Sequence, residues 1–298
     1  LVATVGTNLY PNEGDTFKIK KAKIRGVESF GMICAEDEIG IGNSHEGILI
    51  LPNEVPVATR AAAYYDLYTD FQLEIGLTPN RCDAMGHIGV ARDLKAFLNF
   101  HENQNLSIRL PDIELVNSDN KDTDKIKINI EDTALCPRYI GAILDDIEVK
   151  ESPKWLKNML KSIGLDPVNN VVDVTNFVMY EYGTPMHAFD RSKLGDNITI
   201  KKADKGCSFK TLDGIERKLN GEELMITSEG KNLCIAGVFG GLDSGVSENT
   251  KSIFLESAIF NATSIRKTSK AHAIQTDASF RFERGVDPSF TEDAMNRA

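Results

Sequence analysis

Residues 197–260 are a succession of short apolar runs separated by polar turns, and this pattern constrains the fold most strongly. The runs lie in the segments NITIKKA, SFKTLDG, IERKLNG, ELMITSEG, NLCIAGVFGG and SIFLESAIF. β-Branched and aromatic residues between clusters of Gly, Asn and Asp are typical of short strands. Because only a few helical segments accompany them, we predict a mixed α+β fold and not a doubly wound parallel sheet.

Residues 171–190, VVDVTNFVMYEYGTPMHAFD, combine a helix, its stop and a histidine. Gly183 is expected to end the helix in the left-handed conformation, because Pro185 cannot continue the helical hydrogen bonding. A rigid turn would then precede His187. One helix face is predicted to be buried, since its apolar residues lie three or four positions apart: Val171, Val174, Val178 and Tyr182.

Thr175 and Asn176 lie near the start of this helix, so they and His187 are candidates for one wall of a pocket. The alternative is a purely structural role. Thr175 and Asn176 would then cap backbone groups, and His187 would be a partly buried, hydrogen-bonded histidine. The residues alone leave both interpretations open.

Composition narrows the class of protein. The length of 298 residues favours about two domains, and 41% hydrophobic with 26% charged residues is typical of a globular protein. No apolar run approaches the roughly 18 residues of a membrane-spanning helix. The net charge of −10 argues against a surface that binds nucleic acid throughout, although a local basic strip is compatible with it. Five cysteines without a CxxC pair favour reduced thiols in a cytoplasm and argue against a zinc site or a disulfide framework. Leu1 and a helix start at Thr291 suggest a piece of a longer chain.

Residues 1–68 have the strand spacing of a small antiparallel barrel, with strands predicted at Val2–Val5, Phe17–Ile24, Gly31–Cys34 and Gly47–Leu51. The segment KIKKAKIR concentrates five basic residues, namely Lys18, Lys20, Lys21, Lys23 and Arg25. In a strand, Lys18 and Lys20 would share one face and the other three the opposite face. This strip either contacts phosphates or is a solvated edge whose lysines prevent aggregation.

The rest of the chain divides into three predicted parts. Residues 69–99 indicate a strand, a turn and a helix with Asp83 as N-cap and with Ile88, Ala91, Leu94 and Leu98 on one side. Residues 100–125 have the composition of a linker. Residues 126–298 form the largest unit, with strands at IKINI and YIGAILDDIEV and helices at SPKWLKNMLKSIG and SIRKTSKAHA. In the first helix, Ser152 is the expected N-cap, Pro153 the first residue and Gly164 the stop.

Motifs along the whole chain resemble, in the same order, the β subunit of bacterial phenylalanyl-tRNA synthetase. KIKKAKIRGVESFGMICAEDEIG with EGILILP is similar to the C-terminal half of its tRNA-binding OB-type barrel, and TPNRCD with GVARDL to the small domain that follows. CPRY, VVDVTNFV, PMHAFD, CIAGVFGG, FLESA and TDASFRFERGVD resemble its editing domain. The resemblance implies a partial OB-type β-barrel in residues 1–68, a small α+β domain in 69–99, a linker in 100–125 and a mixed β-sandwich and helix editing domain in 126–298.

The resemblance also implies a function. The parent enzyme joins phenylalanine to tRNA with ATP and Mg²⁺ in the cytoplasm, as a heterotetramer of two α and two β subunits. This fragment is expected to need no cofactor or metal, to bind tRNA through Lys18, Lys20, Lys21, Lys23 and Arg25, and to hydrolyse mischarged Tyr-tRNA(Phe). Neither DNA nor a membrane is an expected partner. The alternative is a non-catalytic module that binds tRNA and docks subunits.

The resemblance assigns roles to nine residues of the predicted editing domain. Thr175, Asn176, His187 and Gly237 would line the catalytic pocket, while Glu256, Thr276, Gly240, Gly241 and Arg138 would bind the substrate. Glu256 would accept the hydroxyl group of tyrosine. No GxSxG elbow or Cys–His motif supplies a nucleophile, so positioning of a water is favoured over general-base catalysis by His187.

Without the resemblance, these residues also have structural interpretations. Glu256 would be a buried strand glutamate paired with Arg281 or Arg284, Gly237 would make a tight turn, and Thr276 would cap a helix or turn. Two positions depart from the family, since Asp166 and Gln275 stand where arginines are common. Lys161 or Arg138 would have to replace those basic contacts.

Overall fold

The computed structural model describes residues 1–9, 15–42, 44–113 and 125–298. It divides into two compact units, Leu1–Asp70 and Phe71–Ala298. Several small sheets and helices alternate along the chain, which confirms the predicted mixed α+β class. No helix within the described ranges is long and apolar enough to cross a membrane. The finer division into domains stays a prediction.

The first unit contains three two-stranded antiparallel pairs and a short helix, α1 (Ala61–Tyr64). Strand β1 (Val2–Thr4) pairs with β6 (Gly31–Ile33), β2 (Asn8–Leu9) with β3 (Phe17–Lys18), and β4 (Ala22–Ile24) with β5 (Val27–Ser29). Ala3, Leu9, Ile19 and Cys34 form its buried cluster.

One predicted strand in this unit is only partly confirmed and one is wrong. The run Phe17–Ile24 is divided into β3 and β4, and residues 19–21 between them are not in a strand. Residues Gly47–Leu51 form no strand, although the Leu49 amide donates to the Cys34 carbonyl at 2.8 Å. The face assignment of the five basic residues therefore fails with the strand on which it depended.

The second unit places two sheets around one apolar core. The larger sheet has the order β15 (Phe239–Gly240), β14 (Lys231–Ile235), β13 (Leu224–Ser228), β10 (Asn197–Lys202), β7 (Lys127–Ile130). The smaller has the order β8 (Arg138–Leu144), β16 (Ile253–Ile259), β9 (Met186–Asp190). Phe189 and Phe254 of the smaller sheet and Ile200 and Ile226 of the larger belong to one buried cluster. A hairpin, β11 (Ser208–Lys210) with β12 (Glu216–Lys218), completes the strands that were predicted after residue 196.

Helices border these sheets. They are α2 (His87–His101), α3 (Lys154–Ser162), α4 (Asn170–Tyr182), α5 (Ala262–His272), α6 (Asp277–Phe282) and α7 (Phe290–Arg297). Helix α4 follows its predicted pattern. Its Val171, Val178 and Tyr182 are buried, Val174 is partly buried, and Gly183 ends it with φ of 78°.

The predicted N-terminal structure of the second unit is partly wrong. Residues 71–77 form no strand, and Phe71 is 90% exposed. Helix α2 begins after Gly86, because Asp83 lies in a short 3₁₀ turn and its carboxylate pairs with Arg81 at 2.9 Å. The predicted apolar side fails as well, since Ile88 is buried but Leu94 is 55% exposed. Ala91 is also exposed, and the predicted linker overlaps the helix at 100–101.

Two further helix starts differ from prediction, and one helix was not predicted at all. Pro153 is the N-cap of α3, because the Ser152 hydroxyl donates to buried Asp173 at 2.5 Å. Ser289 and not Thr291 caps α7. Helix α6 was not predicted, since its six residues are too few for apolar periodicity to show. Of the predicted linker, residues 114–124 lie outside the described residues.

Candidate functional site

Strand register places Glu256 beside His187. In the smaller sheet, Glu256 of β16 is directly opposite His187 of β9 on one side and Gly141 of β8 on the other. Residues opposite each other in antiparallel strands project to the same face. Gly141 carries no side chain there, and a Cβ atom at that position would collide with the Phe254 ring. The carboxyl and the imidazole therefore share one side of the sheet.

A cavity of about 260 Å³ opens on this side. Seven of the nine residues predicted for the site line it: Thr175, Asn176, His187, Gly237, Gly240, Glu256 and Thr276. Most of the remaining wall is apolar, with Met179, Pro185, Met186, Leu212, Val238, Phe239, Ala278 and Phe282. Cys234 and Asp277 complete it. The structure thus brings together residues that the sequence spreads over a hundred positions.

Glu256 is buried, and no described residue forms an ion pair with it. Glu256 is only 5% exposed. The Tyr139 hydroxyl donates a hydrogen bond to Oε2 of Glu256 at 2.9 Å. Burial raises the pKa of Glu256 to about 8, which the hydrogen bond from Tyr139 partly opposes. The carboxyl is therefore mostly protonated near neutral pH.

The predicted structural alternative for Glu256 is only partly right: the residue is buried in a strand, but neither Arg281 nor Arg284 pairs with it. Arg281 lies 3.6 Å from Asp277 and stacks on the Tyr180 ring at 4.4 Å. Arg284 pairs with neighbouring Glu283. A buried carboxyl whose one hydrogen bond comes from a neutral tyrosine is costly to a fold, so its presence in an apolar wall points to a role in binding.

His187 carries a neutral ring. Burial lowers its pKa to about 4, and Nε2 is buried with no hydrogen-bond partner in the described part of the chain. The ring stands edge-on to Phe189 at 4.4 Å between centroids. The structural alternative predicted a hydrogen-bonded histidine, but Nε2 forms no hydrogen bond with a described residue. Because buried polar atoms in proteins usually have a partner, this unsatisfied nitrogen marks a position for a hydrogen bond from outside the chain.

Two glycines of the cavity wall are closely packed, Gly237 against buried apolar side chains and Gly240 against the His187 ring. Gly237 has φ of 65° in the turn between β14 and β15, and a Cβ atom on it would lie 2.8 Å from the Phe260 ring. A Cβ atom on Gly240 would lie 3.0 Å from Cε1 of His187. A side chain at Gly240 would therefore press on the His187 ring, and one at Gly237 would press on the apolar core and require a strained backbone.

The polar side chains of α4 and α6 differ in whether they already form hydrogen bonds within the protein. The Thr175 hydroxyl donates to the Val172 carbonyl at 2.8 Å, and Asn169 instead of Thr175 or Asn176 caps the helix. The Asn176 amide has no hydrogen bond to a described residue, so it can meet a ligand. Thr276 caps α6 by accepting from the Ser279 amide at 3.0 Å, and it donates to the Val238 carbonyl at 3.0 Å. Its predicted structural role as a cap is confirmed.

Other predicted residues are not among those that line the cavity. Arg138 donates to the Pro288 carbonyl and lies 3.5 Å from Glu292. Gly241 is packed against the Leu233 carbonyl and the Phe209 ring. Asp166, Gln275 and Lys161 are exposed and are not among the lining residues. The basic residues 18–25 belong to the first unit, where Lys21 pairs with Glu28 at 2.8 Å.

Sequence reasoning missed two residues that line the cavity, Leu212 and Asp277, and one that contacts Glu256 from outside the lining, Tyr139. Tyr139 lay within the CPRY motif, but nothing in the sequence showed that its hydroxyl meets Glu256. Leu212 comes from the β11–β12 hairpin, whose position depends on tertiary packing. Asp277 directly follows Thr276, and its place could have been inferred from that capping position.

The arrangement suits recognition more than covalent catalysis. Cys234 lines the cavity, but burial raises the pKa of its thiol well above the ordinary value, so it is a poor nucleophile. In the described ranges, no group of three or more His, Cys, Asp or Glu side chains is arranged to hold a metal ion. A carboxyl, a free imidazole nitrogen and an amide around an apolar space can bind an aromatic group that carries a hydroxyl.

Comparisons with known proteins agree with this picture. The B3/4 domain family model matches residues 135–298, which include every residue that lines the cavity. The phenylalanine–tRNA ligase β subunit of Bacteroides fragilis is 51% identical over 292 residues, covering 98% of this chain and 35% of that protein. Those of Porphyromonas gingivalis and Fusobacterium nucleatum are 51% and 44% identical over 300 and 298 residues, each covering all of this chain and 36% of the protein.

Among solved structures, an N-terminal fragment of the phenylalanyl-tRNA synthetase β subunit from Pyrococcus horikoshii matches with a TM-score of 0.35 and 18% identity. That match covers 65% of this chain and 58% of the fragment. The chain spans about a third of the length of the curated relatives that it matches. With the family model covering more than half of its residues, the chain belongs to the B3/4 domain family, as it occurs in phenylalanine–tRNA ligase β subunits.

Proposed function

We propose that this chain is the part of a phenylalanine–tRNA ligase β subunit that removes tyrosine from mischarged Tyr-tRNA(Phe). One observation carries the proposal. The buried carboxyl of Glu256 stands on the wall of an apolar cavity, opposite the free imidazole of His187. Glu256 and His187 offer hydrogen bonds to the hydroxyl of a phenol, and the rest of the cavity suits an apolar aromatic ring.

The chemistry explains why such a cavity is needed. An apolar synthetic pocket rejects a substrate with one added hydroxyl by only about a hundredfold. A second site that hydrogen-bonds the hydroxyl rejects the analogue without it by about four orders of magnitude, because the buried polar group would then be unpaired. Glu256 supplies that group, so phenylalanine on its own tRNA is spared.

Hydrolysis then needs a water held against the ester carbonyl. An aminoacyl ester is activated, so positioning supplies most of what is required. His187 is a weak base, since its pKa lies at about 4, and this supports orientation of the water through Nε2 over proton abstraction. The Asn176 amide is a second group that can hold the ester or the water.

The remaining assignments follow the same proposal. Residues 1–68 would be half of an OB-type tRNA-binding module, 69–99 a small domain, 100–125 a linker and 126–298 the editing domain. The whole enzyme would use ATP and Mg²⁺ with an α subunit in the cytoplasm, in a heterotetramer of two α and two β subunits. Those cofactors would act at the synthetic site and not in this cavity.

The purified chain is expected to deacylate Tyr-tRNA(Phe) well above the spontaneous rate and to leave Phe-tRNA(Phe) intact. Release of labelled amino acid from each tRNA measures this directly. Binding of the tRNA without any acceleration, under conditions where a whole phenylalanine–tRNA ligase edits, would leave only the non-catalytic alternative.

Contacts to tRNA are expected from the basic segment. Lys18, Lys20 and Lys23 are exposed and make no ion pair with a described residue. Replacing all three by alanine should lower the slope of log affinity against log salt by about one per lysine. Filter binding at several salt concentrations gives this slope. The matched control is the triple alanine variant at exposed Lys205, Lys218 and Lys231, which changes the charge equally and should keep the slope. Equal losses in both variants would contradict a local contact.

A further inference from the structure

We propose that Tyr139 is a positioning residue that decides which oxygen of Glu256 meets the ligand. This inference rests on the proposed function and adds a determinant of its specificity. Tyr139 is not among the residues that line the cavity, yet its hydroxyl donates to Oε2 of Glu256 at 2.9 Å. It therefore acts on the ligand only through the carboxyl.

The sheet register makes this contact possible. Tyr139 is opposite Ala258, and Glu256 is opposite Gly141, so Tyr139 and Glu256 are diagonal neighbours on one face. Diagonal neighbours about 7–8 Å apart at Cα are within reach of an aromatic side chain. Gly141 places no side chain between them, and the Phe254 ring fills the space where a Cβ atom of residue 141 would be. The tyrosine thus approaches the carboxyl from β8, whereas His187 lies on β9 at the other side of Glu256.

The contact leaves one carboxyl oxygen for the ligand. Oε2 accepts from Tyr139, and Oε1 accepts no hydrogen bond from any described residue. Tyr139 remains a donor at all ordinary pH values, since burial and the neighbouring Glu256 raise its pKa well above 10. A fixed donor keeps Oε2 an acceptor, so any proton on the carboxyl resides on Oε1.

Oε1 can consequently pair with a hydroxyl in either protonation state. When ionised it accepts the phenol proton, and when protonated it donates to the phenol oxygen. A plain benzyl ring satisfies neither arrangement. Tyr139 therefore makes selection for a hydroxyl independent of the ionisation of Glu256. A carboxyl without this bond could rotate, and neither oxygen would then be reserved for the ligand.

Tyr139→Phe tests the inference, because it keeps the ring and removes the donor. The ratio of kcat/KM for Tyr-tRNA(Phe) over Phe-tRNA(Phe) should fall by about tenfold, the size of one buried hydrogen bond. The matched control is Tyr182→Phe. Tyr182 is buried against Phe290, does not line the cavity, and its hydroxyl bonds to no described residue, so the ratio should not change.

A second readout is independent of hydrolysis. In Tyr139→Phe, the titration midpoint of Glu256 followed by ¹³C NMR of labelled glutamate should rise, because a bond that lowers the pKa of Glu256 is gone. The preference for tyrosinamide over phenylalaninamide in calorimetric binding should fall with it. Tyr182→Phe should move neither value. A purely structural tyrosine would lower stability alone.

The outcomes separate the inference from the proposed function. If the wild type fails to hydrolyse Tyr-tRNA(Phe), the proposed function falls, while the midpoint and the amide preference still decide the role of Tyr139. An unchanged midpoint and unchanged preference in Tyr139→Phe overturn the inference even if editing is intact. Should that variant not fold, Tyr139→Leu and Tyr139→Met provide the same two measurements without a donor.

Discussion

Glu256→Ala is expected to abolish the choice between tyrosine and phenylalanine, lowering the ratio of their deacylation rates by about four orders of magnitude. Tyr-tRNA(Phe) should become a poorer substrate, because its phenol loses a partner within an apolar wall. Phe-tRNA(Phe) should become a better one, since no unpaired carboxyl remains to exclude it. Single-turnover deacylation of both tRNAs measures the two changes separately.

Two controls distinguish this result from general damage to the fold. Glu256→Gln retains an acceptor oxygen and nearly the same shape, so its discrimination should lie between those of the wild type and Glu256→Ala. Glu223→Gln changes another buried glutamate, which His272 contacts at 2.7 Å and backbone amides bind away from the cavity. It should lower stability and keep the discrimination. Equal discrimination in the wild type and Glu256→Ala would favour the non-catalytic binding module.

Local chemistry accounts for the parts of the fold that the sequence predicted well. Gly183 and the apolar spacing of α4 act within a few residues, so the helix and its end could be inferred directly. The strands from 197 to 259 were recognisable for the same reason. The exposure of Phe71 and Leu94 could not be inferred from local chemistry. Both have the residue type of a core position, but exposure is decided by which element packs there, and the sequence does not state this.

The candidate site shows a similar division. The resemblance supplied His187 and Glu256 as separate motifs, whereas their direct opposition depends on the register of β9 with β16. Thr276 was identifiable as a cap from its neighbours alone. Tyr139 was not, because its role arises from a diagonal across two strands and from the missing side chain of Gly141. The pairing of residues across neighbouring strands could therefore not be inferred from the sequence.

The two buried titratable groups also predict how stability depends on pH. Glu256 has a pKa of about 8 in the fold against 4.5 for the ordinary group, so its stabilising contribution is complete at low pH and is lost as pH rises towards 8. His187 has a pKa of about 4 against 6.5, so its contribution is complete above 6.5 and is lost as pH falls towards 4. Between 4.5 and 6.5 the two slopes oppose each other.

Above pH 6.5 only the slope of Glu256 remains, and the free energy of unfolding should fall by about 2 kcal/mol between pH 6.5 and 8 relative to Glu256→Gln. The glutamine does not titrate, so the difference between the two proteins isolates this one group from all others that change in the same range. Urea unfolding of both proteins at each pH gives the difference. A constant difference would mean that Glu256 is ionised throughout, and a carboxylate stabilised in that state would need a charged partner which the structure does not place beside it.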